Sequence, residues 1–291
     1  MTPPAAGFRL MGIVNVTPDS FSDGGQFLQA DAAIAHGLKL IDEGAQIVDV
    51  GGESTRPGAE PVAAEEELRR VCPVIEGIAA AAVTDRSVIS GPQLSIDTSK
   101  AAVARAALEV GATLVNDVTA LRGDAEMAAL VAESGAECCL MHMLGEPRTM
   151  QQEPRYDDVV DDVKAFLLQR LEFAVGEGIA EERVLLDPGI GFGKTLAHNL
   201  ELLRRLHELA ELGRPLVIGT SRKSFLARVT GVPEDSQRLA GTLATNVLAF
   251  ERGASVFRVH DVAPAREALA LAAATLGERW TASSQATTRT I

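Results

Sequence analysis

Eight short β-rich runs alternate with Ala/Leu/Glu-rich segments along almost the whole chain. That alternation limits the fold more than any other feature. The runs fall at 10–14, 46–50, 93–96, 113–115, 137–141, 183–186, 215–218 and 255–259. Between them, apolar residues recur at helical spacing over about 30–43, 63–82, 100–110, 124–133, 156–176, 198–212, 237–252 and 263–276. Gly44, Gly111, Gly135, Gly213 and Gly253 close several of these segments, as helix-ending glycines do. Ser99 and Asp124 are expected N-caps. Eight βα units in 291 residues predict a (β/α)8 TIM barrel, a single domain over 1–276. A doubly wound open sheet is the alternative, because repeated βα units do not by themselves decide closure. The stretches 15–29, 51–62 and 142–156 read as surface loops. The tail, 277–291, is rich in Ser and Thr and is expected to be disordered.

Composition narrows the partners. A net charge of −13 argues against nucleic-acid binding, which needs a basic face, but a local basic cluster can still hold a small anion. Aromatics are only 4% of the chain, so Ala, Val, Leu and Ile must build the core. Cys72, Cys138 and Cys139 form no disulfide framework and no metal-type Cys/His spacing. The first residues lack a signal-peptide pattern, and no apolar run is long enough to span a bilayer. A cytoplasmic location with no membrane partner is the expectation.

Active sites of such barrels lie at the carboxyl ends of the strands. Polar residues stand at or after every strand end here: Asn15; Asp49 before Gly51-Gly52-Glu53; Asp97; Asn116-Asp117; Met141-His142; Asp187; Ser221-Arg222-Lys223-Ser224; and Arg258 with His260-Asp261. A single Asp or Asn after a strand is more often a cap or turn former than a functional group. Eight such ends together favour a site. Asp49 and Asp117 read as structural hydrogen-bond partners. His142 and His207 read as structural or surface residues, and His36 and His198 as exposed helix positions. Asp97, Asn116 and Asp187 suit a heterocycle with several N–H donors on one edge, such as an amino-pyrimidinone. Arg56, Lys223, Arg258 and His260 suit a phosphate or diphosphate. Asn15 could help hold Mg2+ while the diphosphate supplies other oxygens.

The stretch DPGIGFGKT (187–195) looks at first like a nucleotide phosphate loop, but position 188 is Pro188 where that motif needs glycine. It reads better as a strand end offering Asp187, followed by a glycine turn that allows close backbone approach. Lys194 is then expected to be an exposed loop charge.

The segments GIVNVTPDSFSDGG (12–25), VDVGGESTRPGA (48–59), SIDTSK (95–100), VNDV (115–118), LMHM (140–143), LDPGIGFGK (186–194), GTSRKSFL (219–226) and FRVHDV (257–262) occur in order along nearly the whole chain. Together they resemble the dihydropteroate synthase family. The resemblance implies a (β/α)8 barrel, commonly a homodimer, that uses Mg2+. The family joins 6-hydroxymethyl-7,8-dihydropterin diphosphate to p-aminobenzoate in folate biosynthesis, and sulfonamides mimic the second substrate. It further implies that Asp97, Asn116 and Asp187 bind the pterin edge, with Lys223 at the carbonyl and N5 side. Val118 and Met141 would pack beside the ring. Asn15, Arg258 and His260 would hold the Mg-diphosphate. Phe21, Thr55, Arg56 and Pro57 would surround p-aminobenzoate, and Ser224, near a helix start, would receive its carboxylate. Lys223, Arg258, His260 and Asp97 are the expected catalytic groups. Many members of the family carry Phe where Ile190 stands, for which modest repacking is expected.

The reaction so implied is a dissociative substitution that needs no protein nucleophile. Three rivals differ from it. A pterin-dependent methyltransferase would share the carboxylates but not the SRK and RVH basic pair. A Schiff-base lyase would use Lys223. A non-catalytic pterin-binding paralogue would bind without turnover.

Overall fold

The computed structural model describes residues 7–16, 26–54, 59–84, 91–145 and 149–277. Eight strands form one sheet: β1 (Arg9–Asn15), β2 (Ile47–Gly51), β3 (Gln93–Asp97), β4 (Leu114–Asp117), β5 (Glu137–Met141), β6 (Val184–Asp187), β7 (Val217–Ile218) and β8 (Val256–Val259). Every pairing is parallel, in the order β6-β5-β4-β3-β2-β1-β8-β7. A parallel bridge between Leu186 and Leu216 brings β6 to β7, so the sheet curls into a nearly closed barrel rather than an open doubly wound layer. Following register partners once round the sheet slips the chain by about eight residues, the shear of a (β/α)8 barrel.

Helices cover the outside: α1 (Gln26–Asp42), α2 (Ala64–Thr84), α3 (Ala101–Glu109), α4 (Met127–Ser134), α5 (Val159–Gly176), α6 (Leu196–Arg204), α7 (Leu206–Ala210), α8 (Ser224–Thr230), α9 (Leu239–Glu251) and α10 (Val262–Thr275). The main apolar cluster lies between sheet and helices and is built largely of Val, Leu, Ile and Ala, as the composition requires. None of the helices is long and apolar enough to cross a membrane among the described residues. The five closing glycines all take positive φ, from 65° to 119°.

The expected caps are corrected. Lys100, not Ser99, occupies the N-cap of α3 and makes no side-chain cap bond. Glu126, not Asp124, precedes α4. Asp124 instead accepts from the Ala101 N–H at 2.9 Å, capping α3 from a different loop, and from Glu126 N–H at 3.0 Å. The segment expected as one helix over 198–212 breaks at Arg205 into α6 and α7. Of the expected tail, everything beyond Gly277 lies outside the described residues.

Inside the barrel, alternate residues of each strand point inward. With a shear of about eight, inward residues from alternate strands share a height. Ile47, Leu114, Leu185 and Val256 form one layer, and Met11, Cys139 and Val217 lie in the next with Ser95; the seven apolar members make a separate dry cluster. The layer above, again from β2, β4, β6 and β8, is Asp49, Asn116, Asp187 and Arg258. Asp97 and Met141 come next. His260 and Val118 stand above them, and Asn15 is at the rim.

Candidate active site

The polar layer is tied together by hydrogen bonds. Asp49 is fully buried and accepts from Ser95 Oγ at 2.6 Å, Asn116 Nδ2 at 3.0 Å and Arg258 Nε at 2.6 Å. Arg258 also donates from Nη2 to Asp97 at 2.7 Å. One guanidinium thus serves two carboxylates. That sharing explains why burial wins at Asp97: its carboxyl is pushed up to about 7, with Arg258 pulling the other way and Asp49 adding to the rise. Burial opposes charge on Arg258, but Asp49 and Asp97 outweigh it and hold the guanidinium above its ordinary value.

Asp187 closes the other side. Burial raises its carboxyl, while Lys223 and the Gly189 N–H, which donates at 2.7 Å, pull it back. Lys223 is lowered to about 8, chiefly by burial, against the attraction of Asp187. Its ammonium donates to the Ile190 carbonyl and lies 4.6 Å from the centre of the Phe192 ring. Arg222 is turned away from Lys223 by a two-point ion pair with Asp261, at 2.6 and 3.0 Å. At the next loop Ser221 Oγ meets His260 Nδ1 at 2.9 Å and accepts from the His260 backbone N–H at 3.2 Å. Ser221 therefore fixes His260 above Arg258.

An apolar wall faces this polar set. Val118, Met141, Met143 and Met150 form their own buried cluster, with Phe192 packed on it. Such a wall beside convergent carboxylates is a slot for a flat, polar-edged ring.

The 187–195 stretch corrects one expectation. Lys194 is buried, only 3% exposed. It donates to the carbonyls of Gly189 and Phe192, each at 2.9 Å, and meets His142 Nδ1 at 2.9 Å. Burial lowers its ammonium well below the ordinary lysine value, with Lys223 adding to the effect. Burial and Lys194 together pull the His142 imidazole down to about 2, so it stays neutral and accepts. Lys194 is thus an internal clip, and its loop carries the carbonyl that Lys223 uses. The glycine at 189 serves packing: a Cβ there would lie 1.9 Å from the His142 carbonyl oxygen. Ile190 is fully buried. His198 is half-buried rather than exposed, completing a capping box with Thr195 at the start of α6.

Of the residues singled out in the sequence, Asp97, Asn116, Asp187, Lys223 and Arg258 gather at one end of the barrel, with Val118 and Met141 beside them and His260 above. Asn15 is exposed at the rim of β1. Ser224 is exposed at the first residue of α8. Phe21, Thr55, Arg56 and Pro57 lie outside the described residues. The sequence reading gave no site role to Asp49, Ser95, Ser221 or Lys194. The inward parity of β2 and β3 was the signal available for the first two.

A barrel with this polar upper layer has well-characterised relatives. The family described as pterin binding enzyme matches residues 11–260. Dihydropteroate synthase of Escherichia coli (strain K12) is 46% identical over 271 residues, 93% of each chain. A solved dihydropteroate synthase from Xanthomonas albilineans in complex with 7,8-dihydropteroate is 46% identical, with a TM-score of 0.82 over 92% of this chain and 94% of that one. Another structure of the Xanthomonas enzyme, with 4-aminobenzoic acid, is 48% identical with a TM-score of 0.84, over 92% and 93% of the two chains. The chain belongs to the pterin-binding enzymes and, within them, to the dihydropteroate synthase family, transferases of folate biosynthesis.

Proposed function

We propose that this barrel joins 6-hydroxymethyl-7,8-dihydropterin diphosphate to p-aminobenzoate, giving 7,8-dihydropteroate and pyrophosphate, and that its upper layers carry the reaction. The observation behind the residue roles is the convergence of Asp97, Asn116 and Asp187 beside a Met/Val wall, with Lys223 and Arg258 between them.

Asp187 and Asp97 accept N–H donors from the pyrimidinone edge, and Asn116 lies between them. Lys223, mostly protonated below pH 8, donates to the ring carbonyl and N5 side. Val118 and Met141 cover the ring face. The bond from the pterin methylene carbon to the bridging diphosphate oxygen then breaks, and pyrophosphate leaves with the electron pair. The buried carboxylates stabilise the cationic pterin. The arylamine nitrogen attacks the methylene carbon and releases its proton to solvent. Phe21, Thr55, Arg56, Pro57 and Ser224 are assigned to p-aminobenzoate by family likeness alone. His260, held by Ser221, faces the leaving group. Arg258 couples the two halves: its pairing with Asp97 puts it in the pterin set as well as near the diphosphate.

Mg2+ fits this donor set in one way. Among the described residues no group of three or more His, Cys, Asp or Glu side chains is arranged for a metal. Asn15 offers one hard oxygen at the rim and makes no side-chain hydrogen bond among the described residues. A single amide oxygen suits an ion that arrives on a diphosphate and keeps most of its water. When bound, the ion would neutralise charge on the leaving diphosphate. A cytoplasmic homodimer is the assembly and location proposed, on family likeness alone.

Pyrophosphate release, with Mg2+ and the dihydropterin diphosphate, is the deciding measurement. Release that requires p-aminobenzoate and matches dihydropteroate formation supports the synthase. Tight pterin binding with no release would favour the non-catalytic paralogue.

A further inference from the structure

Asp49 touches two residues assigned to the pterin, Asn116 and Arg258, and shares their layer, yet it is fully out of solvent. We propose that Asp49 is a positioning residue: through Asn116 and Arg258 it dictates which atoms the site presents to the pterin edge. This inference rests on the pterin-site reading above.

An ionised carboxylate only accepts hydrogen bonds. Asn116 must therefore turn Nδ2 toward Asp49, as it does at 3.0 Å, and its Oδ1 away. Asn116 then presents an acceptor beside the acceptor carboxylates of Asp97 and Asp187. Three acceptors together match a ring edge rich in N–H donors. A reversed amide would place donors opposite donors and leave buried groups unpaired. The same Asp49 oxygen takes Arg258 Nε at 2.6 Å, which sets the roll of the guanidinium. Nη2 is then committed to Asp97, leaving Nη1 as the guanidinium group with no carboxylate partner among the described residues. Ser95 completes the device by donating to the other Asp49 oxygen at 2.6 Å. An apolar residue at 49 would continue the dry layer below without the desolvation cost of a buried acid.

The test uses the full chain, 6-hydroxymethylpterin as the calorimetric probe, and KM for p-aminobenzoate as the internal reference. In Asp49→Asn the new amide can keep its oxygen toward Asn116 and Arg258 while donating to Ser95 Oγ, which changes from donor to acceptor. Pterin affinity is expected to stay within about fivefold of wild type. Asp49→Leu, close in size, removes the acceptor and leaves Asn116 free to turn, and Asp49→Ala does the same without added bulk. In both, a loss of pterin affinity more than about tenfold beyond that of Asp49→Asn is expected, with KM for p-aminobenzoate unchanged. Near-wild-type affinity in Asp49→Leu and Asp49→Ala would overturn the proposal, as would a loss of about 100-fold in Asp49→Asn alone, which would assign the role to charge rather than orientation. Asp187→Ala separates this role from the pterin-site reading. If it keeps wild-type pterin affinity, the pterin-site reading itself fails. If it loses affinity while Asp49→Leu and Asp49→Ala do not, only the role of Asp49 falls.

Discussion

The same four strands build two layers of opposite character. Two residues below Asp49, Asn116, Asp187 and Arg258 stand Ile47, Leu114, Leu185 and Val256, all four fully buried and apolar. The lower layer exchanges water for close packing. The upper layer keeps charge in place by hydrogen bonds and one shared guanidinium. One strand therefore serves stability and chemistry at positions only two residues apart, and mutations should separate the two duties cleanly.

The largest expected effect tests the upper layer. Asp187→Ala should cost roughly 4 kcal/mol of pterin binding, about 1,000-fold, through loss of paired charge-assisted hydrogen bonds. Denaturant unfolding should change little, because a buried carboxyl that resists ionisation is removed as well. Leu114→Ala should do the reverse. It should lower unfolding stability by about 3 kcal/mol while the folded protein binds pterin normally, read by urea titration beside calorimetry. Lys194→Met should fall between the layers. It strands two carbonyls and His142, costing about 2 kcal/mol of stability, and raises KM for the pterin substrate by loosening the Ile190 carbonyl that holds Lys223.

Acidity gives a smaller and sharper contrast. Asp97 must be ionised to accept from the ring, and its carboxyl is raised to about 7 by burial. Pterin affinity should therefore fall as pH drops below 7, toward about tenfold per unit at the limit. Asp97's own contribution to folding stability moves the other way, because a raised carboxyl stabilises the protein while protonated and loses that contribution as pH rises through its folded value, and the buried neutral His142, pulled down to about 2, offsets it below about pH 6.5. Calorimetry from pH 5 to 8 should show the binding slope, and Asp97→Asn should flatten it. An unchanged slope in that variant would break the link between Asp97 and the ligand. Asn15→Ala should have the smallest effect: a few-fold higher Mg2+ requirement for pyrophosphate release, with pterin affinity unchanged.

The alternation of eight βα units was legible because period-2 and period-3.6 patterns are local. Even so, several strands continue into the polar residues read as lying after them: β1 includes Asn15, β3 Asp97, β4 Asn116 and Asp117, and β6 Asp187. Backbone pairing does not depend on the side chain, and an inward carboxylate is tolerated there because the barrel supplies partners. Residues whose partners are distant in sequence were harder to read. Asp49 finds Arg258 two strands away round the sheet, but 209 residues away in sequence. Lys194 looks exposed in a glycine-rich text, but carbonyls from its own loop and His142, from the loop after β5, enclose it. Asp124 caps a helix 23 residues earlier rather than its own. The resemblance supplied the substrates, which no periodicity could name.

Insert one residue into β4, and Asn116 would face the helices while its neighbour turned toward the ligand. The barrel interior behaves like a reading frame of two letters, in which a single slip garbles every word downstream on that strand. Length changes that preserve meaning are confined to the stretches beyond the strand ends, where no phase is kept. A lineage built on this chain can thus change length in loops that carry no site residue, whereas changes within its strands must come as substitutions.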